Sequence, residues 1–180
     1  MISKLERKDY WINKVIPNLV DDQVDIFLLF LTGETDYPLI INNKICFFSR
    51  EPFLKMLSSI DIPISSKDLD NEIDYVIDMN KVLKLIKYSS LDKEGILIVS
   101  INTLLDLFCP LKIKFPDQYK SVLYLFADHL SFNKRYGSFL KEHEISREDL
   151  VDAISWLSGI ILLNSSFNEK QLPNSTLTNI

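Results

Sequence analysis

Residues 24–31, VDIFLLFL, decide the fold. The last six are apolar at every position, and a strand that is apolar on both faces is typical of the middle of a sheet. Two more β-rich runs follow, LII at 39–41 and ICFF at 45–48. The NNK at 42–44 between them suits a tight hairpin, because Asn tolerates positive φ. We therefore predict a three-stranded antiparallel meander over about residues 24–48.

Helical patterns flank the meander. Apolar residues near helical spacing predict a helix over residues 2–16, which Pro17 would end. On the other side, Pro52 suits the first turn of a short helix that runs to about Ser59.

Two later segments, 73–89 and 95–109, resemble each other. Each passes from a β-branched run to an asparagine, Asn80 or Asn102, and then to a helical pattern. Asparagine is a good helix N-cap because its side chain accepts a hydrogen bond from a free backbone N–H. The pattern predicts two successive strand-to-helix units.

The last part of the chain is helical in pattern, with helices from Asp117 and over 134–144. In the closing helix, Ser146 is the predicted N-cap and Asp149 completes a capping box. We predict a single α+β domain over residues 1–163, in which the meander and one or two further strands pack with five to seven helices. Residues 164–180 are polar and predict a flexible tail.

Composition limits the class of protein. The chain has 180 residues, a formal net charge of −5 and two cysteines, Cys46 and Cys109. The mild acidity argues against general affinity for nucleic acid. No apolar run is long enough to cross a membrane, and the N-terminus lacks the pattern of a secretory signal. We expect a cytoplasmic protein whose two thiols are buried.

Residues with catalytic potential are few and dispersed. His129 and His143 lie far from both cysteines in sequence, and the four glycines are too scattered to form a phosphate-binding loop. We predict no catalytic residue, no metal site and no cofactor. An enzyme with an unfamiliar site is an alternative, and it would depend on these histidines or on Cys46 and Cys109.

An acidic stretch is the most informative surface feature. Asp68, Asp70, Glu72 and Asp74 fall at every second position, with no Lys or Arg between Lys67 and Lys81. If residues 68–77 are extended, these carboxylates share one face. Three interpretations stay open: a solvated edge, a calcium loop that lacks the usual Gly and final Glu, and a docking face for a basic partner. Further candidates for such a face are Asp21, Asp22 and Asp25.

The organisation resembles bacterial immunity proteins of the contact-dependent growth-inhibition type. The resemblance depends on the meander 24–48, the acidic stretch 68–78, the run 101–108 and the closing helix 146–163. It implies a stoichiometric inhibitor of one cognate toxin, often a nuclease with a basic cleft. No residue role is carried over, because the resemblance is one of character and involves no shared motif.

Two function classes therefore compete with an enzyme. The first is the immunity protein, whose carboxylates would occupy a cleft meant for phosphates. The second is an interaction or regulatory module without a toxin partner, such as an adaptor or a phage-derived protein. In that class the acidic stretch would only be a solvated edge.

Overall fold

The computed structural model describes residues 9–17, 25–33 and 35–168. Within them the protein is an α+β fold with seven strands and six α-helices. The strands are β1 (Tyr10–Ile16), β2 (Ile26–Leu31), β3 (Tyr37–Pro38), β4 (Ile40–Ile41), β5 (Lys44–Phe48), β6 (Tyr75–Asp78) and β7 (Ser165–Asn168). The helices are α1 (Arg50–Ser59), α2 (Met79–Tyr88), α3 (Ile96–Phe108), α4 (Asp117–Phe132), α5 (Gly137–Glu142) and α6 (Arg147–Leu163).

The strands form one mixed sheet with β2 inside it. The order is β4-β5-β2-β1-β6, with β3 paired to β2 and β7 paired to β5. The predicted antiparallel meander is confirmed, although its middle strand is broken at Leu39 into β3 and β4. Asn42 and Asn43 adopt φ of 53° and 59°, as the tight hairpin requires.

Strand β2 separates two hydrophobic cores. Ile26, Leu28 and Phe30 pack into the larger core with the helices α2 to α6. Phe27 and Leu29 face the smaller core, which α1 covers. This two-sided burial is what the uninterrupted apolar run predicted.

The first predicted helix is wrong where it can be compared. Residues 10–16 form β1, which pairs antiparallel with β2 and parallel with β6. Trp11 and Val15 face the larger core while Ile12 faces the smaller one, so the burial alternates with a period of two. Residues 2–8 lie outside the described residues.

One of the two predicted strand-to-helix units is confirmed. Strand β6 leads into α2, but the cap is Asp78, which accepts hydrogen bonds from the backbone N–H groups of Asn80 and Lys81 at 3.0 and 3.1 Å. The second predicted strand is wrong, because α3 is helical throughout and Asn102 lies inside it. Asp92 begins α3 by accepting hydrogen bonds from the N–H groups of Leu97 and Ile98.

The prediction of a flexible tail is wrong for residues 165–168. Ser165–Asn168 form β7, which pairs in parallel with Ile45–Phe48 of β5. The ring of Phe167 stacks on Phe47 at 5.4 Å. Residues 169–180 lie outside the described part of the chain.

The capping box of α6 is confirmed. The Ser146 hydroxyl accepts a hydrogen bond from Asp149 N at 2.9 Å, and Asp149 Oδ2 accepts one from Ser146 N at 2.9 Å. These bonds, together with one from the Ser146 hydroxyl, hold the pKa of Asp149 below its usual value of 3.8.

Replacement of Ser146 with Ala is therefore expected to lower the free energy of unfolding by about 1 kcal/mol at pH 7. The carboxylate's contribution is present above pH 3.8 and is lost as the pH falls through its lowered folded-state pKa. As the pH falls through that acid range, the Ser146→Ala variant should lose less stability than the unsubstituted protein. Urea unfolding at pH 7 and near pH 3 measures both effects, and Ser138→Ala on the exposed face of α5 is the control.

Candidate partner-binding surface

The acidic stretch is folded differently from the prediction. Residues Leu69–Asn71 form a single turn of 3-10 helix, and Asp68 is also in a helical conformation. The prediction of an extended segment over 68–77 is wrong for residues 68–72, and from Tyr75 the chain forms β6. We attribute the turn to Leu69, because its side chain is fully buried in the smaller core while its neighbours Asp68 and Asp70 stay exposed. The four carboxylates therefore do not share one strand face.

The start of this turn is held by hydrogen bonds to Ser65. Ser65 O accepts from the N–H groups of Asp68 and Leu69 at 3.1 Å, and the Ser65 hydroxyl donates to Asp68 Oδ2 at 2.5 Å. Asp68 and Asp70 remain exposed, while Glu72 and Asp74 are half-buried. The surface therefore offers two outward carboxylates at the turn and two that lie deeper beside it.

A cation from another element reaches the acidic stretch. Arg50, at the start of α1, forms an ion pair with Asp70 and also donates to Ser66 O. The sequence placed no Lys or Arg within the stretch, but it could not show that α1 returns to it. Exposed ion pairs of this kind contribute little, about 0–1 kcal/mol. Asp70 is thus a carboxylate with an internal partner and more than half of its side chain in solvent.

Asp74 joins the stretch to the sheet. Its Oδ2 accepts a hydrogen bond from Ile12 N at 2.9 Å, and its backbone N–H donates to Ile12 O at 2.8 Å. Asp74 therefore fixes the start of β6 beside β1, in addition to carrying charge.

Of the three other candidate aspartates, one lies within the described residues and two lie outside them. Asp25 is described and forms an ion pair with Lys14 at 2.8 Å. Asp25 precedes β2, and β1 separates β2 from β6 in the sheet, so the ion pair does not place Asp25 on the acidic stretch. Asp21 and Asp22 lie outside the described residues.

Strand β6 was predicted, but the sequence interpretation missed that it lies at the edge of the sheet with apolar side chains exposed. It ends the sheet order, and among the described residues only β1 pairs with it. Its first two side chains are apolar and exposed, Tyr75 at 41% and Val76 at 49%. An exposed edge strand is a template for pairing with another chain unless charge or covering protects it. The three consecutive β-prone residues Tyr75, Val76 and Ile77 after the carboxylates were the signal available in the sequence.

We define the acidic edge as Asp68, Asp70, Glu72, Asp74, Tyr75 and Val76. It combines carboxylates, two exposed apolar side chains and the side of β6 on which no described strand pairs. Such a surface has the components of a protein-binding site, namely apolar contact area within a charged rim.

The residues with catalytic potential lie elsewhere. Cys46 is buried in the sheet, with its thiol 3.7 Å from the Ser166 hydroxyl. Cys109 is exposed, so the prediction of a buried thiol is wrong there. Both histidines pack against Phe139, at ring distances of 4.1 Å for His129 and 4.4 Å for His143. Their contacts are those of packing residues in the helical layer.

In the described part of the chain, no group of three or more His, Cys, Asp or Glu side chains could hold a metal ion. No helix described there combines the length and apolar character needed to cross a bilayer.

Comparison of the chain with family models, with curated proteins and with solved structures gives no match.

Proposed function

We propose that this protein is a non-enzymatic, cytoplasmic immunity protein that neutralises a cognate toxin by stoichiometric binding. The observation that carries the proposal is the acidic edge, where four carboxylates are followed directly by β6. Among the described residues this strand pairs with β1 alone, and two of its apolar side chains are exposed. The two parts suit different steps of binding. Carboxylates attract a basic partner over a distance, and apolar contacts hold it once it arrives.

Charge favours a basic partner over a second copy of this chain. The edge residues of β6 lie between Asp74 and Asp78. If two copies paired antiparallel about Val76, Asp74 of one would lie opposite Asp78 of the other. Like charges directly opposite each other in a sheet are destabilising. A toxin surface with Lys or Arg in its cleft has the complementary charge.

The first experiment identifies the partner by activity. The full chain is co-purified with its bound protein, and that protein is then expressed alone. Under the proposal it arrests growth, and co-expression of this chain restores growth. A bound protein that has no effect on growth would instead favour an interaction or regulatory module.

The second experiment tests the acidic edge. Asp68→Lys and Asp70→Lys are each expected to weaken affinity for the identified partner about tenfold at low salt, ~1.4 kcal/mol, with a smaller difference at high salt. Glu142→Lys on α5 changes the net charge equally outside the acidic edge and serves as the matched control. Affinities and salt dependence equal to those of the control would remove the acidic edge from the proposal.

A further inference from the structure

A cavity of about 540 Å³ opens between the sheet and the helical layer. Its walls come from β1, β2, β5, β6 and β7 on one side and from α2, α3 and α6 on the other. The volume lies within the range of ~300–1,000 Å³ that is usual for small-molecule pockets. The cavity is distinct from the acidic edge, since the exposed residues Tyr75 and Val76 do not line it.

The cavity wall is almost entirely apolar. Of the described residues that form it, none is charged, and only Ser155 and Ser158 have polar side chains. The rest are aliphatic or aromatic side chains, one Met and one Pro. A charged group inside this wall would lose its hydration without gaining a counterion. The wall therefore selects a neutral, largely apolar occupant.

One hydroxyl in the wall lacks a partner. Ser158 Oγ is buried and has no hydrogen-bond partner in the described structure. Two other helical hydroxyls bond to the preceding turn: Thr103 donates to Val99 O and Ser131 to Ala127 O, both at 2.9 Å. Ser100 Oγ on α3 also lacks a partner, but Ser100 does not line this cavity. A buried polar atom left without a hydrogen bond is costly, so an occupant with its own hydroxyl or carbonyl would relieve that cost.

The rim of the cavity is apolar and open to solvent. Leu162 is 54% exposed and Phe167 is 53% exposed, and both line the opening. An elongated apolar molecule would remove this surface from water along with the wall behind it.

We propose that this cavity binds a neutral, chain-like apolar molecule with one hydroxyl or carbonyl group, of the fatty-alcohol class. The apolar chain lies along the sheet, and the polar group lies beside Ser158 on α6. A fatty-acid anion is a poor ligand, because no described wall residue offers a positive charge.

The test uses the full-length chain and the neutral fluorescent probe N-phenyl-1-naphthylamine. One probe molecule per chain is expected to bind with enhanced emission. At pH 8, 1-dodecanol should displace it at a concentration at least tenfold lower than dodecanoate does. Absence of probe binding by the full chain, or equal displacement by alcohol and anion, overturns the proposal.

Variants locate the binding. Leu83→Trp places a larger side chain in the cavity and is expected to weaken probe binding at least tenfold. Leu162→Trp at the exposed rim should also weaken probe binding, and it should not disturb the packing of the core, because Leu162 is exposed. Leu125→Trp, an exposed position on α4 outside the cavity, is the matched control and should bind the probe normally. Ser158→Ala should weaken dodecanol about fivefold and the probe less. Equal loss in the control, or no loss in either cavity variant, contradicts the site.

Discussion

Truncation of Tyr136 to Ala is expected to lower the free energy of unfolding by about 4 kcal/mol. Tyr136 is fully buried, and its ring packs edge-on against Phe126 at 5.3 Å. Its hydroxyl donates to Leu85 O at 2.7 Å, and its backbone N–H donates to Ser90 O at 3.0 Å. The side chain thus joins α2, α4 and the start of α5. Loss of a buried aromatic ring typically costs about 3–5 kcal/mol, and urea unfolding at pH 7 measures it.

Tyr136→Phe separates the hydroxyl from the ring. It should cost only about 1 kcal/mol, because Leu85 O also accepts a hydrogen bond from Ser89 N and stays satisfied. A cost for Phe equal to that for Ala would contradict the packing role of the ring.

The Tyr136 hydroxyl should also make the stability depend on pH in the alkaline range. Burial raises the pKa of the Tyr136 phenol above its usual value of 10.0, against the opposing effects of Ser89 and Arg147. Above pH 10 the unfolded chain loses this proton before the folded chain does, so stability falls as the pH rises. Tyr136→Phe should therefore lose less stability between pH 9 and pH 11 than the unsubstituted protein.

Replacement of Leu69 with Ala is expected to lower the free energy of unfolding by about 3 kcal/mol. Leu69 is fully buried in the smaller core, and it is the buried residue of the one-turn helix that carries Asp70. Large-to-small changes at such sites cost about 2–5 kcal/mol through lost burial and the cavity left behind. The anchor of the acidic edge would be weakened at the same time.

The control for Leu69 is its neighbour in the same turn. Asn71 is exposed, so Asn71→Ala should change the stability by no more than about 0.5 kcal/mol. Denaturant midpoints for the two variants show whether stability depends on the burial of Leu69 or whether any substitution in this turn is destabilising. Equal midpoints would show that Leu69 does not anchor the acidic edge.

Local signals in the sequence predicted much of the fold. The apolar run of β2, the two asparagines of the hairpin and the capping box at Ser146 each carry their own physical cause within a few residues. Strand β1 was mistaken for a helix because apolar spacing alone does not distinguish the two when the pairing partner is unknown. Strand β7 is short and polar, and its place depends on β5, far away in sequence.

The candidate surface was predictable in composition and not in geometry. The carboxylates were evident, but their turn depends on the burial of Leu69 in a core built by other elements. The ion pair of Arg50 with Asp70 links two segments that only the folded chain brings together. The exposed edge at Tyr75 and Val76 follows from the strand order, which no local pattern encodes.

The pairing of β5 with β7 has a consequence for how the protein folds. Ile45 and Ser165 pair although they lie far apart in sequence, so we expect them to meet only after the intervening helices have been placed. Until then, KICFF of β5 presents an apolar, β-prone edge to its surroundings. Contacts so distant in sequence form late, and unpaired edges of this kind are where partly folded chains aggregate. The yield of refolding should accordingly fall with protein concentration more steeply than final stability would suggest.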